Sequence, residues 1–171
     1  LYTWATPNGR KASIMLEEVG LPYSEHAINI AKGEQFGPDF LKISPNNKIP
    51  AIIDPEGPDG APISVFESGA ILQYLARKTG RFHGKTERER VAVEEWLFWQ
   101  MANFGPYVGQ MFHFLVYAPE KLDYPIERYS KEVSRLFNLI EQRLAESPWI
   151  GGDEYSIADM AVYPVSDVWK D

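Results

Sequence analysis

The chain contains no cysteine. That absence excludes a disulfide framework, a thiolate zinc site, a Cys-x-x-Cys redox pair and a cysteine nucleophile. Any thiol chemistry must use a thiol that arrives with a ligand. Positive charge is also scarce: 17 Lys and Arg stand against 24 Asp and Glu, a net charge of −7. Nucleic acid and anionic membrane surfaces recruit proteins through a basic footprint, so neither is expected as a partner. No stretch approaches the roughly 18 apolar residues of a membrane span. His26, His83 and His113 are scattered without ligand spacing, so no metal is expected. No Gly-rich phosphate loop, internal repeat or low-complexity segment is found. What is present is a globular composition, 44% hydrophobic and 24% charged over 171 residues, enough for one domain or two small ones.

Residues 1–80 read as alternating strands and helices. Leu1-Tyr2-Thr3-Trp4 is rich in β-formers, and Thr6-Pro7-Asn8-Gly9 is turn chemistry. Ala12, Met15, Leu16 and Val19 fall at i, i+3, i+4 and i+7, the apolar stripe of a helix that Gly20 stops. A strand is expected over 23–30, a punctuated stretch with one short helix over 32–43, and strands over 49–53 and 63–66. Ser68 is placed to cap a helix carrying Ile71, Leu72 and Leu75. Residues 81–86 read as a polar linker. From residue 87 onward only helical patterns occur. Residues 91–115 are apolar on nearly every side, which calls for several packing neighbours, and Gly105-Pro106 predicts a kink. Ile126, Tyr129, Val133, Leu136, Phe137, Ile140 and Leu144 mark an amphipathic helix. Ser156 and Asp159 have the spacing of a capping box, flanked by Tyr155 and Met160.

The motifs occur in a particular order: Thr6-Pro7-Asn8-Gly9-Arg10-Lys11, Ser44-Pro45-Asn46-Asn47-Lys48-Ile49-Pro50-Ala51-Ile52, Phe66-Glu67-Ser68-Gly69-Ala70-Ile71 and Tyr155-Ser156-Ile157-Ala158-Asp159. In that order they resemble the cytosolic glutathione transferases. Trp96-Leu97-Phe98-Trp99-Gln100 and Ile126-Glu127-Arg128-Tyr129 resemble one branch, the bacterial Nu-class enzymes related to the yeast nitrogen-regulator prion protein. The resemblance implies a thioredoxin-like α/β domain (βαβ-ββα) over 1–80, a linker over 81–86 and an all-helical domain over 87–171. It also implies further helices beyond the last one, so the chain reads as truncated: Leu1 opens inside a strand and Asp171 cuts an apolar-periodic segment.

Site residues follow from motif and resemblance together. The helix start at Glu67-Ser68 offers N–H groups and a hydroxyl for a carboxylate, and a carboxylate for an ammonium. By resemblance that ligand is the γ-glutamyl end of glutathione; a plain helix cap with a solvated Glu67 fits the same spacing. The resemblance implies a cis bond before Pro50, with the Ile49 backbone pairing the ligand's cysteinyl part, and Lys48 and Gln35 at its glycyl end. Lys48 equally suits a surface lysine. Thr6 and Asn8 supply O–H and N–H where a ligand thiolate needs donors, and by resemblance they are the catalytic pair; without it they read as a turn. Tyr2 reads as packing. Arg128 by resemblance reaches glutathione across a homodimer, and otherwise is a solvated arginine. Phe104, Tyr107, Phe112 and Tyr117 are candidates for a co-substrate pocket or core. The implied function is a cytoplasmic, glutathione-dependent disulfide-bond reductase. Hydroperoxide reduction and conjugation to electrophiles are further reactions of relatives. The other possibility is a non-catalytic glutathione-binding or regulatory module.

Overall fold

In the computed structural model, which describes residues 1–167, the turn after the first strand becomes a helix start. Thr6 is extended (φ −136°, ψ 159°), its Oγ1 accepts from the Gly9 N–H at 3.1 Å, and Pro7 occupies the first helical turn. A proline suits that position because its missing N–H would have no partner there. Helix α1 (Pro7–Val19) ends where Gly20 adopts φ 71° and returns its N–H to Leu16 and Glu17. Its buried face carries Lys11, Ala12, Met15 and Leu16.

Four strands form one sheet in the order β2–β1–β3–β4: β1 (Tyr2–Thr3), β2 (His26–Ala27), β3 (Ala51–Asp54) and β4 (Ile63–Phe66). β1 and β2 are parallel, with Tyr2 opposite His26. β1 and β3 are antiparallel, with Tyr2 opposite Ala51, and β3 and β4 are antiparallel, with Ala51 opposite Phe66. Strand β2 is shorter than the 23–30 expected. Asn29 ends it, because its side-chain oxygen takes the N–H groups of Ala31 and Lys32 and turns the chain into two short 3₁₀ turns. Helix α2 (Pro38–Ile43) buries Phe40. Helix α3 (Ser68–Thr79) packs on α1 and buries Ile71, Leu72 and Leu75. Asp54 ties β3 to α3 by accepting from Tyr74 Oη at 2.5 Å and pairing with Lys78.

The chain divides into two compact units. One is Leu1–His83, to which Asp167 also belongs; the other is Gly84–Ser166. In the second, Thr86 and Glu89 form a capping box at the start of α4 (Glu87–Trp99). The predicted disturbance at Gly105-Pro106 takes the form of a π-helical turn over Gln100–Phe104, in which the Gly105 N–H reaches back five residues to Gln100. The wider turn accommodates a proline ring that would crowd the preceding turn. Helix α5 (Gly105–Phe112) follows, then a second π turn (His113–Tyr117) and α6 (Asp123–Glu146), which buries Val133, Leu136 and Ile140. Helix α7 (Ile157–Ser166) packs on α4. The apolar face of 91–115 is only partly covered: Val91 is 47% and Phe98 59% exposed. Among the described residues, no helix is long and apolar enough to cross a membrane.

Candidate functional site

Sheet direction gathers the candidate residues of the first unit. Because β3 runs against β1, the end of β1 lies beside the start of β3. Because β4 runs against β3, the end of β4 lies on that same side. β2 runs with β1, so its exit is there too. Thr6 and Asn8 follow β1, Gln35 follows β2, Lys48 and Ile49 precede β3, and Glu67 and Ser68 follow β4. All seven therefore emerge from one end of the sheet.

Thr6 accepts the Gly9 N–H through one lone pair, and its own hydroxyl proton goes to no other described residue. Asn8 is exposed, one residue into α1. Gly9 is required for this turn, since a Cβ there would overlap the Trp4 carbonyl oxygen and Thr3 Oγ1. The Ile49–Pro50 bond is cis. Neither backbone group of Ile49 bonds to another described residue. The Oε1 of Gln35 is buried without a hydrogen-bond partner, and Lys48 is exposed.

The start of α3 differs from expectation. Ser68 is not the cap but the first helical residue; Glu67 takes the cap position with φ 69° and makes no side-chain bond to its own helix. Ser68 is buried and Glu67 is exposed. The Ser68, Gly69 and Ala70 N–H groups lie in the first turn, where a helix has no internal acceptors to offer. This end of the helix suits an anion.

Two residues near this site carry no role in the sequence reading. Asn46 Nδ2 donates to Glu67 Oε1 at 3.3 Å across 21 residues of chain. Lys11 is 1% exposed; burial pushes its ammonium down to about 7, and the Glu67 carboxylate partly opposes that shift. Lys11 lies four residues before Met15 on the apolar stripe, a spacing that marks its burial in advance.

The remaining candidates lie elsewhere. Arg128 belongs to the second unit, on a cavity of about 520 Å³ shared with Tyr107, Tyr124, Lys131 and Arg135. Phe104 is fully buried core, stacked on Trp99 at 5.4 Å, so it lines no co-substrate pocket. Tyr2 stacks on His26 at 4.7 Å, the packing role expected of it. Among the described residues, no cluster of three His, Asp or Glu could hold a metal.

Comparison with known proteins meets this geometry. The model of the glutathione S-transferase N-terminal domain matches residues 5–78, and that of the C-terminal domain matches residues 123–165. The chain is 52% identical over 170 residues to the disulfide-bond oxidoreductase YfcG of Escherichia coli strain K12, covering 99% of this chain and 79% of that protein. It is 43% identical over 171 residues to the disulfide-bond oxidoreductase YghU of the same strain, spanning 96% of this chain but 58% of that one. A crystal structure of a Pseudomonas putida glutathione transferase, holding one glutathione disulfide per subunit, superposes with a TM-score of 0.93 at 44% identity. It covers 96% of this chain and 72% of its own.

Proposed function

The chain belongs to the glutathione S-transferase family, in its Nu-class branch, and from that premise we propose that it is an enzyme reducing small disulfides with glutathione. In this reading the γ-glutamyl carboxylate sits at the start of α3 against Ser68, and the α-ammonium pairs with Glu67. The Ile49 backbone pairs with the cysteinyl residue in the manner of an added strand, and Gln35 and Lys48 meet the glycyl end. The thiol then lies at the start of α1. The observation that carries the proposal is Thr6: its oxygen is occupied by Gly9, which leaves its proton to donate. A hydrogen-bond donor and a helix N-terminus both favour the thiolate over the thiol, and Asn8 adds a second donor.

The chemistry balances without a protein thiol. A glutathione thiolate attacks one sulfur of the substrate disulfide, forming a mixed disulfide and releasing the other sulfur as thiolate, which takes a proton. A second glutathione thiolate attacks the glutathione-side sulfur of the mixed disulfide. The products are glutathione disulfide and two substrate thiols, and the two electrons come from the two glutathiones. We further propose a homodimer, a cytoplasmic setting, and a role for Arg128 toward glutathione across that dimer. Kinship with the family supports these. Hydroperoxide reduction and conjugation use the same thiolate and are secondary activities in this reading.

Glutathione-dependent reduction of a small dialkyl disulfide tests the proposal. The wild-type protein turns over. Thr6→Ala and Asn8→Ala each lose about 10- to 100-fold in rate, the worth of one hydrogen bond to a charged sulfur, while still binding glutathione. No wild-type turnover leaves a binding module instead of an enzyme. Full activity in both variants moves the thiolate elsewhere.

A further inference from the structure

Resting on that reading of the site, we propose that Asn46 is a positioning residue that gives the site its preference for a ligand bearing an α-ammonium. Glu67 does not behave as a helix cap. Its side chain makes no bond to the N–H groups of α3, and its backbone stands at φ 69°, where a residue other than glycine is uncommon. Its carboxylate is turned instead toward the loop before β3, where Asn46 donates to Oε1 at 3.3 Å. A carboxylate has lone pairs on both oxygens, so Oε2 is left for an incoming ammonium.

The residue type matters. An asparagine amide orients the carboxylate as a donor without cancelling its charge. A lysine or arginine in its place would neutralise Glu67 and compete with the ligand's ammonium.

The loop is braced to hold Asn46 there. Ser44 is fully buried, donates from Oγ to the Lys48 carbonyl at 2.8 Å, and its own carbonyl accepts the Asn47 N–H at 2.9 Å. Asn47 closes the turn with φ 49°. The turn that fixes Asn46 at Glu67 therefore runs straight into Lys48 and Ile49. One loop sets the ammonium end and the peptide end of the ligand together.

The test measures calorimetric binding of glutathione and of its des-amino analogue, in which hydrogen replaces the γ-glutamyl α-ammonium. The proteins are the wild type, Asn46→Ala, Glu67→Gln and the double variant. Asn46→Ala is expected to weaken glutathione about fivefold while leaving the analogue within about twofold, so the analogue also reports an intact site. In the Glu67→Gln background, Asn46→Ala is expected to cost no more than about twofold further, because its partner charge is gone. Equal weakening of both ligands, or no change in either, would overturn the inference and leave the glutathione reading standing. Failure of the wild type to bind glutathione would overturn both.

Discussion

At the scale of single residues, small and buried groups decide what the loop after β1 can do. Thr6 and Asn8 are legible as candidates because Thr-Pro-Asn-Gly is both turn chemistry and a family motif. Gly9 matters for a reason no motif states: a Cβ would enter the space of the Trp4 carbonyl and the Thr3 hydroxyl. Lys11 shows the opposite case, a residue whose type points to the surface and whose position points inward. Its charge is held by a buried site, and burial lowers its ammonium from 10.5 to about 7. Between those pH values the unfolded chain binds a proton that the folded chain does not. Stability therefore climbs as pH rises through this window, and the cost of burial is felt in full below about pH 7. Lys11→Met, similar in length and uncharged, is expected to raise stability at pH 7. A tenfold change in proton affinity corresponds to about 1.4 kcal/mol, so the gain is on the order of a few kcal/mol. It should shrink steadily toward pH 10.5 in denaturant titrations run across that range. A gain independent of pH would show that packing, not charge, is the cause.

At the scale of elements, the helix start at Ser156 was legible, that at Ser68 was placed one residue late because Glu67 takes the cap position, and strand β2 was overextended. The Thr86/Glu89 box, not singled out from the sequence, and the Ser156/Asp159 pair, which was, are local arrangements set by residues three apart, and both form. The second differs in detail. The Ser156 hydroxyl accepts from the Ala158 N–H at 3.3 Å and donates to the Asp159 carboxylate, where the spacing suggested that it would accept from the Asp159 N–H. Asp159 also does more than a box requires, because its Oδ1 takes the Ile150 N–H at 2.8 Å and so ties the preceding loop to α7. Burial raises its carboxyl above the ordinary carboxylate value, against the pull of these hydrogen bonds. Asp159→Ala would leave the Ile150 and Ser156 N–H groups buried without acceptors, at a cost on the order of 3 kcal/mol. Asp159→Asn keeps one acceptor oxygen and should recover part of that loss. Urea midpoints of the three proteins check the order. Strand β2 was overestimated because alternation extends further along the sequence than the ladder does, and Asn29 withdraws the chain from pairing.

At the scale of the whole molecule, the division into an α/β unit and a helical unit follows from where strand patterns give way to helical ones. The segment 91–115 was read as calling for several packing neighbours, and within the single chain Phe98 in it, with Val116 and Tyr117 just after it, remain 59%, 58% and 70% exposed. Contiguous exposed apolar patches mark interfaces with other chains, and the proposed homodimer would supply cover for these side chains. Light scattering at micromolar concentration is expected to return twice the mass of the chain. A monomer would remove both the cover for these side chains and the cross-subunit role of Arg128.

The ordered motifs were enough to name the family by resemblance, and residue types and spacing were enough to nominate a candidate residue on each loop. All of these depend on residue type and on spacing within a few positions, which are properties of the linear chain. The meeting of Thr6, Ile49 and Glu67 at one end of the sheet, the turning of Glu67 away from its own helix, and its contact with Asn46 were decided only by tertiary structure. They depend on strand direction and on contacts between residues about twenty positions apart or more, as with Asn46 and Glu67, and no local pattern encodes such contacts.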